Sequence, residues 1–198
     1  MPGLSLDPSL LWTAKEAFRY PENISEIRDN LQKLGDWTIE AGLYHSEDGK
    51  KSYDIGALDL EQLEVDHTAL FINGFPAARA HPFAGWYENE AIVFGPSDNK
   101  VRQFYSRYGV KYDSSQVSAD HIMVELEFLA IMAEKYEETG DPFYYMALRD
   151  MISSYMENWV FRFLKNIEEN AGTNYYRYLA AVLTTLFNQL KTELREVA

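Results

Sequence analysis

Residues 118–140, SADHIMVELEFLAIMAEKYEETG, constrain the fold more than any other stretch, because they predict one long central helix. Ser118 is a favourable N-cap, and Asp120 would lie in the first turn, beside the positive end of the helix dipole. Gly140 would end the helix. Apolar side chains recur at spacings of three and four, which predicts a single buried stripe. Its members are Ile122, Leu126, Leu129, Ala133 and Tyr136.

The rest of the chain also shows helical periodicity, and no alternation typical of β-strands persists. Asn23, Ser97, Asp141 and Thr173 are favourable N-caps, and Pro142 suits a first helical position. We therefore expect an all-α fold: a single helical-bundle domain over residues 1–198 with six or seven helices. The predicted helices cover residues 6–20, 24–44, 59–73, 98–108, 118–140, 141–170 and 174 onwards.

The length and composition of the chain exclude several classes of protein. A chain of 198 residues with 46% hydrophobic residues can bury one sizeable core. It has no cysteine, which excludes disulfides and thiolate chemistry. No apolar run reaches 18 residues, so no membrane span is predicted. The first residues, MPGLSLDPSLLW, lack the pattern of a secretory signal, and we expect a cytoplasmic protein without stable membrane insertion.

The net charge indicates which classes of partner molecule the chain can attract. The chain has 31 acidic and 18 basic residues, a formal net charge of −13, and its basic residues form no cluster. Nucleic acids and anionic lipids bind positive patches, so neither is an expected partner. A basic partner would be attracted, although an acidic surface also serves simply to keep a protein in solution.

Residues 74–95 form the one long segment without helical periodicity, and this segment is rich in aromatic residues. Aromatic side chains do not suit a solvated loop, so the segment should fold back on the helices or bind a partner. If it lies near the start of the central helix, Asp120 and His121 stand beside an aromatic groove. A peptide with an arginine next to apolar residues would suit such a groove, because a carboxylate can bind a guanidinium at two atoms. The alternative is structural: Asp120 stabilises the helix start, His121 bonds a loop carbonyl, and the aromatic residues complete the core.

No pattern of catalytic or metal-binding residues stands out. Glu64 and His67 have the Glu-x-x-His spacing of carboxylate-bridged di-iron bundles, but the second copy that such a site needs is missing. The sequence has no HExxH, no GxxxxGK(S/T) and no GxGxxG motif. We therefore expect no catalysis, no metal and no cofactor, with a small-molecule or metal-binding helical-bundle enzyme as the alternative from another class.

Four passages, in the same order along the chain, resemble one known family. The first is Leu70-Phe71 with Gly74-Phe75 and residues 81–87, HPFAGWY; the second is residues 94–95, FG, with 101–104, VRQF. The third is Asp120-His121, and the fourth is residues 159–163, WVFRF, with 175–177, YYR. Together they resemble the TorD/DmsD-type chaperones for molybdenum oxidoreductases (the TorD/DmsD/NarJ superfamily), which proofread twin-arginine signal peptides. The resemblance covers about residues 60–190.

The resemblance implies an all-helical maturation chaperone without catalysis, which binds the N-terminal leader of a client enzyme. At two positions the chain departs from the family pattern: Tyr155 stands where many members have histidine, and Ala84 replaces a small hydroxyl residue. The first departure concerns a polar contact beneath the groove. When the family's leader-binding residues are transferred to the matching positions of this chain, the resemblance implies a leader-binding surface. It consists of Leu70, Phe71, Phe75, Gly95, Asp120 and His121, with His67 and Trp86 as neighbours.

The resemblance thus implies two partners: the twin-arginine leader and the catalytic subunit of a molybdopterin oxidoreductase. Asp120 would pair with a leader arginine, and the bound leader would delay export until the cofactor is loaded. The alternative within the family is a NarJ-like assembly chaperone, which binds a non-exported molybdoenzyme catalytic subunit. A monomer and a domain-swapped dimer both fit the sequence, because helices joined by the polar loop at residues 45–56 could exchange between copies.

Overall fold

The computed structural model of the protein describes residues 7–40, 58–74, 77–88, 93–112 and 117–195. Within these residues the chain forms nine α-helices and no β-strand, which confirms the predicted all-α fold. The helices are α1 (Pro8–Glu16), α2 (Ile24–Glu40), α3 (Leu60–His67), α4 (Ala84–Tyr87), α5 (Pro96–Arg107), α6 (Ile122–Thr139), α7 (Pro142–Ser154), α8 (Val160–Asn170) and α9 (Asn174–Arg195). A π-helical turn, Thr68–Ile72, continues α3, and a 3₁₀ turn, Met156–Asn158, separates α7 from α8.

The predicted central helix is α6, which packs against both α1 and α7. All five members of the predicted apolar stripe are buried. Gly140 has a positive φ of 64° and ends α6 in the left-handed conformation that glycine adopts without strain. Asp141 and Pro142 then begin α7 as its N-cap and first residue, as predicted.

The start of α6 differs from the prediction. His121, and not Ser118, is the N-cap: its Nδ1 accepts a hydrogen bond from the backbone N–H of Met123 at 3.1 Å. Ser118 is engaged elsewhere, since its hydroxyl lies within hydrogen-bonding distance of the carboxylates of Asp98 (3.0 Å) and Asp120 (2.5 Å). Asp120 therefore precedes α6 and does not lie in its first turn.

The single helix predicted over residues 141–170 is wrong, because the chain breaks at Tyr155 into α7 and α8. Tyr155 and Trp159 leave the helical conformation, with φ and ψ of −121° and −65° and of −133° and −34°. The break accompanies complete burial of Trp159, whose indole N–H donates to a carboxyl oxygen of Glu125 at 3.1 Å. The apolar spacing of four residues continues across the break, so periodicity alone could not reveal it.

Two further differences lie around the aromatic segment. Helix α5 begins with Gly95 as its N-cap and Pro96 as its first residue, so Ser97 does not cap it. Residues Ala84–Tyr87 form the one-turn helix α4 inside the stretch predicted to be irregular. Helix α4 and the split between α7 and α8 explain why the described residues contain nine helices and not six or seven.

The core combines aliphatic side chains with a set of packed aromatic rings. Phe163 on α8 lies 5.5 Å from both Phe18 and Trp159 between ring centroids, and α9 packs against α2, α7 and α8. Fully burying a side chain of this size stabilises the fold by about 1.5–3 kcal/mol. Among the described helices, none is both long enough and apolar enough to cross a membrane. The polar loop predicted at residues 45–56 lies outside the described residues.

Candidate functional site

An open cavity forms where four parts of the chain meet: the end of α1, the π-helical turn after α3, the residues before α4, and the start of α6. Its volume is about 490 Å³, and apolar and aromatic side chains provide most of its wall. We call this cavity the aromatic groove. It is lined by Phe18, Arg19, Tyr20, His67, Phe71, Ile72, Pro82, Phe83, His121, Ile122 and Met123.

The aromatic segment pairs with the residues just before α6. The backbone N–H of Ile122 donates to the carbonyl of Pro82 at 2.9 Å, and the N–H of Ala84 donates to the carbonyl of Asp120 at 3.0 Å. Phe83 and His121 form an isolated antiparallel bridge, and their ring centroids lie 4.9 Å apart in an edge-to-face arrangement. Residues 82–84 of the aromatic segment therefore lie beside the start of the central helix, which is the arrangement that the expected groove requires.

His121 is half-buried in the wall of the groove. Burial, and next the proximity of His67, lower the pKa of the His121 imidazole to about 4, so the ring is uncharged at neutral pH. Because Nδ1 accepts the hydrogen bond from Met123, the neutral ring carries its proton on Nε2. The imidazole of His121 therefore caps α6. The structural alternative considered from the sequence had His121 bonding a loop carbonyl instead.

His67 also lines the aromatic groove. It is 5% exposed, and its Nε2 lies 3.2 Å from the carbonyl oxygen of Phe18. Burial lowers the pKa of His67, although the Phe18 carbonyl and the nearby Asp66 carboxylate act in the opposite direction. The ring centroids of Phe71 and Tyr20 lie 5.0 Å and 5.3 Å from that of His67. Apart from Arg19, the groove therefore presents uncharged side chains, many of them aromatic.

Asp120 does not present its carboxylate at the rim, as the sequence had suggested. The residue is 3% exposed, and one carboxylate oxygen accepts a hydrogen bond from the backbone N–H of Gly85 at 2.9 Å. The other oxygen lies 2.5 Å from the hydroxyl of Ser118. The expectation of an accessible carboxylate is therefore corrected: Asp120 anchors the turn at Gly85 against the start of α6.

The other predicted residues lie at different places. Leu70 is fully buried in the core, and Gly95 is buried as the N-cap of α5. Trp86 is 43% exposed and stacks on His81 with centroids 3.5 Å apart. Of the residues that the structure describes, these three are not among those lining the aromatic groove. Phe75 lies outside the described residues.

Sequence reasoning missed the contribution of α1. Phe18, Arg19 and Tyr20 follow its last turn and supply one wall of the groove. In the helix predicted over residues 6–20, Phe18 falls on the apolar face. A side chain in the core and a side chain in a groove follow the same apolar periodicity, so the sequence does not separate the two. The motifs that carried the resemblance begin only at Leu70, so they gave no signal for this wall.

The part of the chain that the structure describes holds a histidine–glutamate pair with the spacing of metal ligands, Glu64 and His67. There, no group of three or more histidine, aspartate or glutamate side chains is placed to hold a metal ion. Glu64 is partly exposed, whereas His67 points into the groove wall and contacts Phe18. The Glu-x-x-His spacing is therefore not part of a ligand cluster.

Comparisons with known proteins add to this geometry. The profile of the nitrate reductase delta subunit family matches residues 25–165. The chaperone protein TorD of Shewanella loihica is 28% identical over 142 residues, 68% of this chain and 63% of that protein, so the chain spans slightly less than two thirds of that relative. The chaperone protein YcdY of Escherichia coli is 28% identical over 138 residues, 70% of this chain and 68% of that protein. A crystal structure of a candidate redox enzyme maturation protein from Archaeoglobus fulgidus covers 98% of this chain and 99% of its own, with a TM-score of 0.51 and 24% identity, which shows a shared fold.

Proposed function

Because this chain belongs to the nitrate reductase delta subunit family, we propose that it is a cytoplasmic chaperone for the maturation of a redox enzyme. The family membership confirms the resemblance to the TorD/DmsD/NarJ superfamily. Two relatives are named as chaperones, and neither name denotes a catalytic activity. The proposed role is therefore the binding of a client protein and not catalysis.

One observation carries the proposal: three side chains implied by the resemblance line the same cavity. His121 lies far along the chain from His67 and Phe71, which are four residues apart, yet all three border the aromatic groove. Both imidazoles are uncharged at neutral pH because burial lowers the pKa of each. Burying one Leu or Phe side chain of a partner in such a groove contributes about 1.5–3 kcal/mol. These properties suit an apolar peptide segment.

The proposed client segment is a twin-arginine leader, which combines basic residues with an apolar stretch. The net charge of −13 favours a basic partner, and the groove offers a place for the apolar stretch. The free energy gained by burying a few such side chains, less the cost of association, corresponds to a dissociation constant of about 1 μM. In this proposal Asp120 positions His121 and does not contact the arginine, because Asp120 is only 3% exposed and its carboxylate is bonded to Gly85 and Ser118 inside the protein.

The client would be a molybdopterin oxidoreductase. While its leader is bound to the chaperone, the export machinery cannot engage that leader. Release of the leader after cofactor loading would then restore export. A micromolar complex suits this cycle, because it dissociates readily and yet forms at cellular concentrations.

A titration calorimetry experiment with a synthetic twin-arginine leader tests the proposal. Phe83→Ala removes a half-buried ring from the groove, and Phe143→Ala removes an exposed ring on α7 as the matched control. We expect Phe83→Ala to weaken binding about tenfold, which corresponds to about 1.4 kcal/mol, and Phe143→Ala to change it less than about twofold. Equal affinities in both variants and the wild type would remove the groove from the binding site.

The description of the matching family favours a second candidate function. Because that family is named for the delta subunit of nitrate reductase, this protein could act as a NarJ-like assembly chaperone for a non-exported catalytic subunit. A pull-down with a client that lacks its leader separates the two candidates. Retention of the leaderless client supports the assembly role, and its loss supports leader recognition.

A further inference from the structure

A second cavity adjoins the aromatic groove at the connection between α1 and α2. Its volume is about 100 Å³, and Arg19 and Tyr20 line both cavities. Tyr176 from α9 also lines the second cavity, while its ring lies 5.5 Å from that of Phe71 and 6.1 Å from that of His67 in the groove. One extended peptide could therefore occupy both cavities. We call this second cavity the acidic cavity, after three glutamates in its wall.

Those glutamates give the acidic cavity a net negative charge. Glu16, Glu22 and Glu26 line it against a single basic residue, Arg19. Arg19 forms an ion pair with Glu16 at 2.7 Å, and Glu26 accepts a hydrogen bond from the side-chain amide of Asn23 at 3.1 Å. Glu22 is exposed and has no hydrogen bond or ion pair with the residues that the structure describes. A cation entering this cavity would thus meet a carboxylate that is not already neutralised.

A buried hydroxyl group in the same wall is also without a partner. Tyr176 is 0% exposed, and its hydroxyl makes no hydrogen bond within the described residues. Burial raises the pKa of this phenol above its ordinary value, so the group is neutral and its oxygen can accept a hydrogen bond. An unpaired buried hydroxyl is costly, and a ligand that brings an N–H donor into the cavity would satisfy it. This second feature is independent of the glutamates, yet it calls for the same kind of ligand.

We propose that the acidic cavity binds the guanidinium group of an arginine from the same leader whose apolar stretch lies in the aromatic groove. This inference rests on the proposed function and adds the position at which a basic residue of the leader is recognised. Glu22 supplies the carboxylate, and the hydroxyl oxygen of Tyr176 accepts an N–H hydrogen bond. Arginine fits better than lysine, because its five N–H donors can reach both acceptors at once.

The test measures fluorescence anisotropy with two labelled peptides that share one apolar stretch and carry either two arginines or two glutamines. Each peptide is titrated with the wild type, Glu22→Gln and Tyr176→Phe. Glu137→Gln serves as the control, because it removes one charge from an exposed position near the far end of α6. Since the Tyr176 hydroxyl has no partner, Tyr176→Phe should fold normally, which thermal denaturation checks.

We expect Glu22→Gln and Tyr176→Phe to weaken binding of the arginine peptide about threefold to tenfold, the effect of losing one ordinary hydrogen bond. Both variants should bind the glutamine peptide as the wild type does, and Glu137→Gln should change neither affinity more than about twofold. Unchanged affinity for the arginine peptide, or an equal loss with both peptides, overturns the inference.

A second measurement separates this inference from the proposed function. Arginine amide alone is titrated into the wild type and Tyr176→Phe, and the backbone amide signal of Glu22 is followed by NMR. A saturable shift in the wild type that is weaker in Tyr176→Phe supports the cation site, even if neither leader peptide binds and the proposed function fails. The absence of a shift at Glu22, with the leader still bound by the wild type, overturns the cation site alone.

Discussion

The Nδ1 atom of His121 accepts a hydrogen bond from the backbone N–H of Met123 at 3.1 Å, so one imidazole both caps α6 and faces the aromatic groove. A charged imidazole could not accept this bond, because both of its ring nitrogens would carry protons. Capping of α6 therefore requires the same uncharged ring that gives the groove its apolar character. Acidification should weaken both features together.

The first prediction concerns the pH dependence of stability. The pKa of His121 is about 4 in the folded protein, below its ordinary value of 6.5, so the unfolded chain binds a proton first as pH falls. The stabilising contribution is complete above pH 6.5 and is lost as pH falls from 6.5 towards 4. His121→Asn keeps a capping oxygen but does not titrate. Between pH 7 and pH 4.5, we expect the wild type to lose about 2 kcal/mol more unfolding free energy in urea denaturation than His121→Asn does.

Burial also lowers the pKa of His67, but His67 is present in both proteins, so the difference between the two reports on His121. Parallel stability curves for the wild type and His121→Asn would contradict the first prediction.

The second prediction concerns Asp66, which precedes His67 in the chain and bonds the residues before α9. Its buried carboxylate accepts hydrogen bonds from the backbone N–H of Gly172 at 2.9 Å and from the N–H and hydroxyl of Thr173 at 2.8 and 2.7 Å. Asp66→Asn replaces one acceptor oxygen with a donor, so we expect a loss of about 2–4 kcal/mol of unfolding free energy. Urea denaturation measures this loss, and the exposed Asp29→Asn on α2 is the control. A loss no larger than in the control would show that the start of α9 does not depend on this carboxylate.

The third prediction concerns Gly74, just after the π-helical turn. A Cβ at this position would lie 2.5 Å from the carbonyl oxygen of Ala77 and 2.7 Å from that of Ala69. Both atoms belong to the backbone, so the chain would have to move, and Gly74→Ala should lower the unfolding free energy by about 2–3 kcal/mol. Ala77→Ser, at an exposed position in the same loop, should change it by less than about 0.5 kcal/mol. Similar denaturation midpoints for the two variants would count against the close approach at Gly74.

The fourth prediction concerns Glu125, whose carboxyl is completely buried beside Trp159. Burial, and next the charge of Asp120, raise the pKa of Glu125 well above its ordinary value. The folded protein therefore keeps this proton longer than the unfolded chain, and the stabilising contribution is lost as pH rises above 4.5. Relative to Glu125→Gln, the wild type should lose up to about 1.4 kcal/mol of unfolding free energy per pH unit in this range. Denaturation at pH 5 and pH 8 measures the difference, and a relative gain of the wild type at pH 8 would refute the assignment.

Much of the architecture could be predicted because helix signals are local. The buried stripe of α6, its end at Gly140 and the start of α7 at Asp141 depend on residues within a few positions of one another. Three groove residues, His67, Phe71 and His121, were reached through the resemblance of short motifs. Periodicity alone would have placed these side chains in the core without distinguishing a groove.

The features that escaped prediction depend on contacts between distant parts of the chain. Asp66 bonds Thr173 across 107 positions, and Glu125 bonds Trp159 across 34. A carboxylate in a helical sequence is expected to face solvent, so its burial cannot be seen without the partner. The engagement of Asp120 by Gly85, 35 residues away, likewise turned an expected ligand into a structural residue.

Site-specific crosslinking tests the central claim, that the aromatic groove holds the leader of a client, most directly. A photoreactive benzoylphenylalanine is placed at Ile72, which lines the groove and is 59% exposed, or at Val65 on α3, which is 66% exposed and does not line it. After irradiation with a twin-arginine leader, mass spectrometry locates the adducts. We predict a leader adduct from position 72 and none above background from position 65. Equal adducts from both positions, or an adduct from position 65 alone, would contradict binding in the groove.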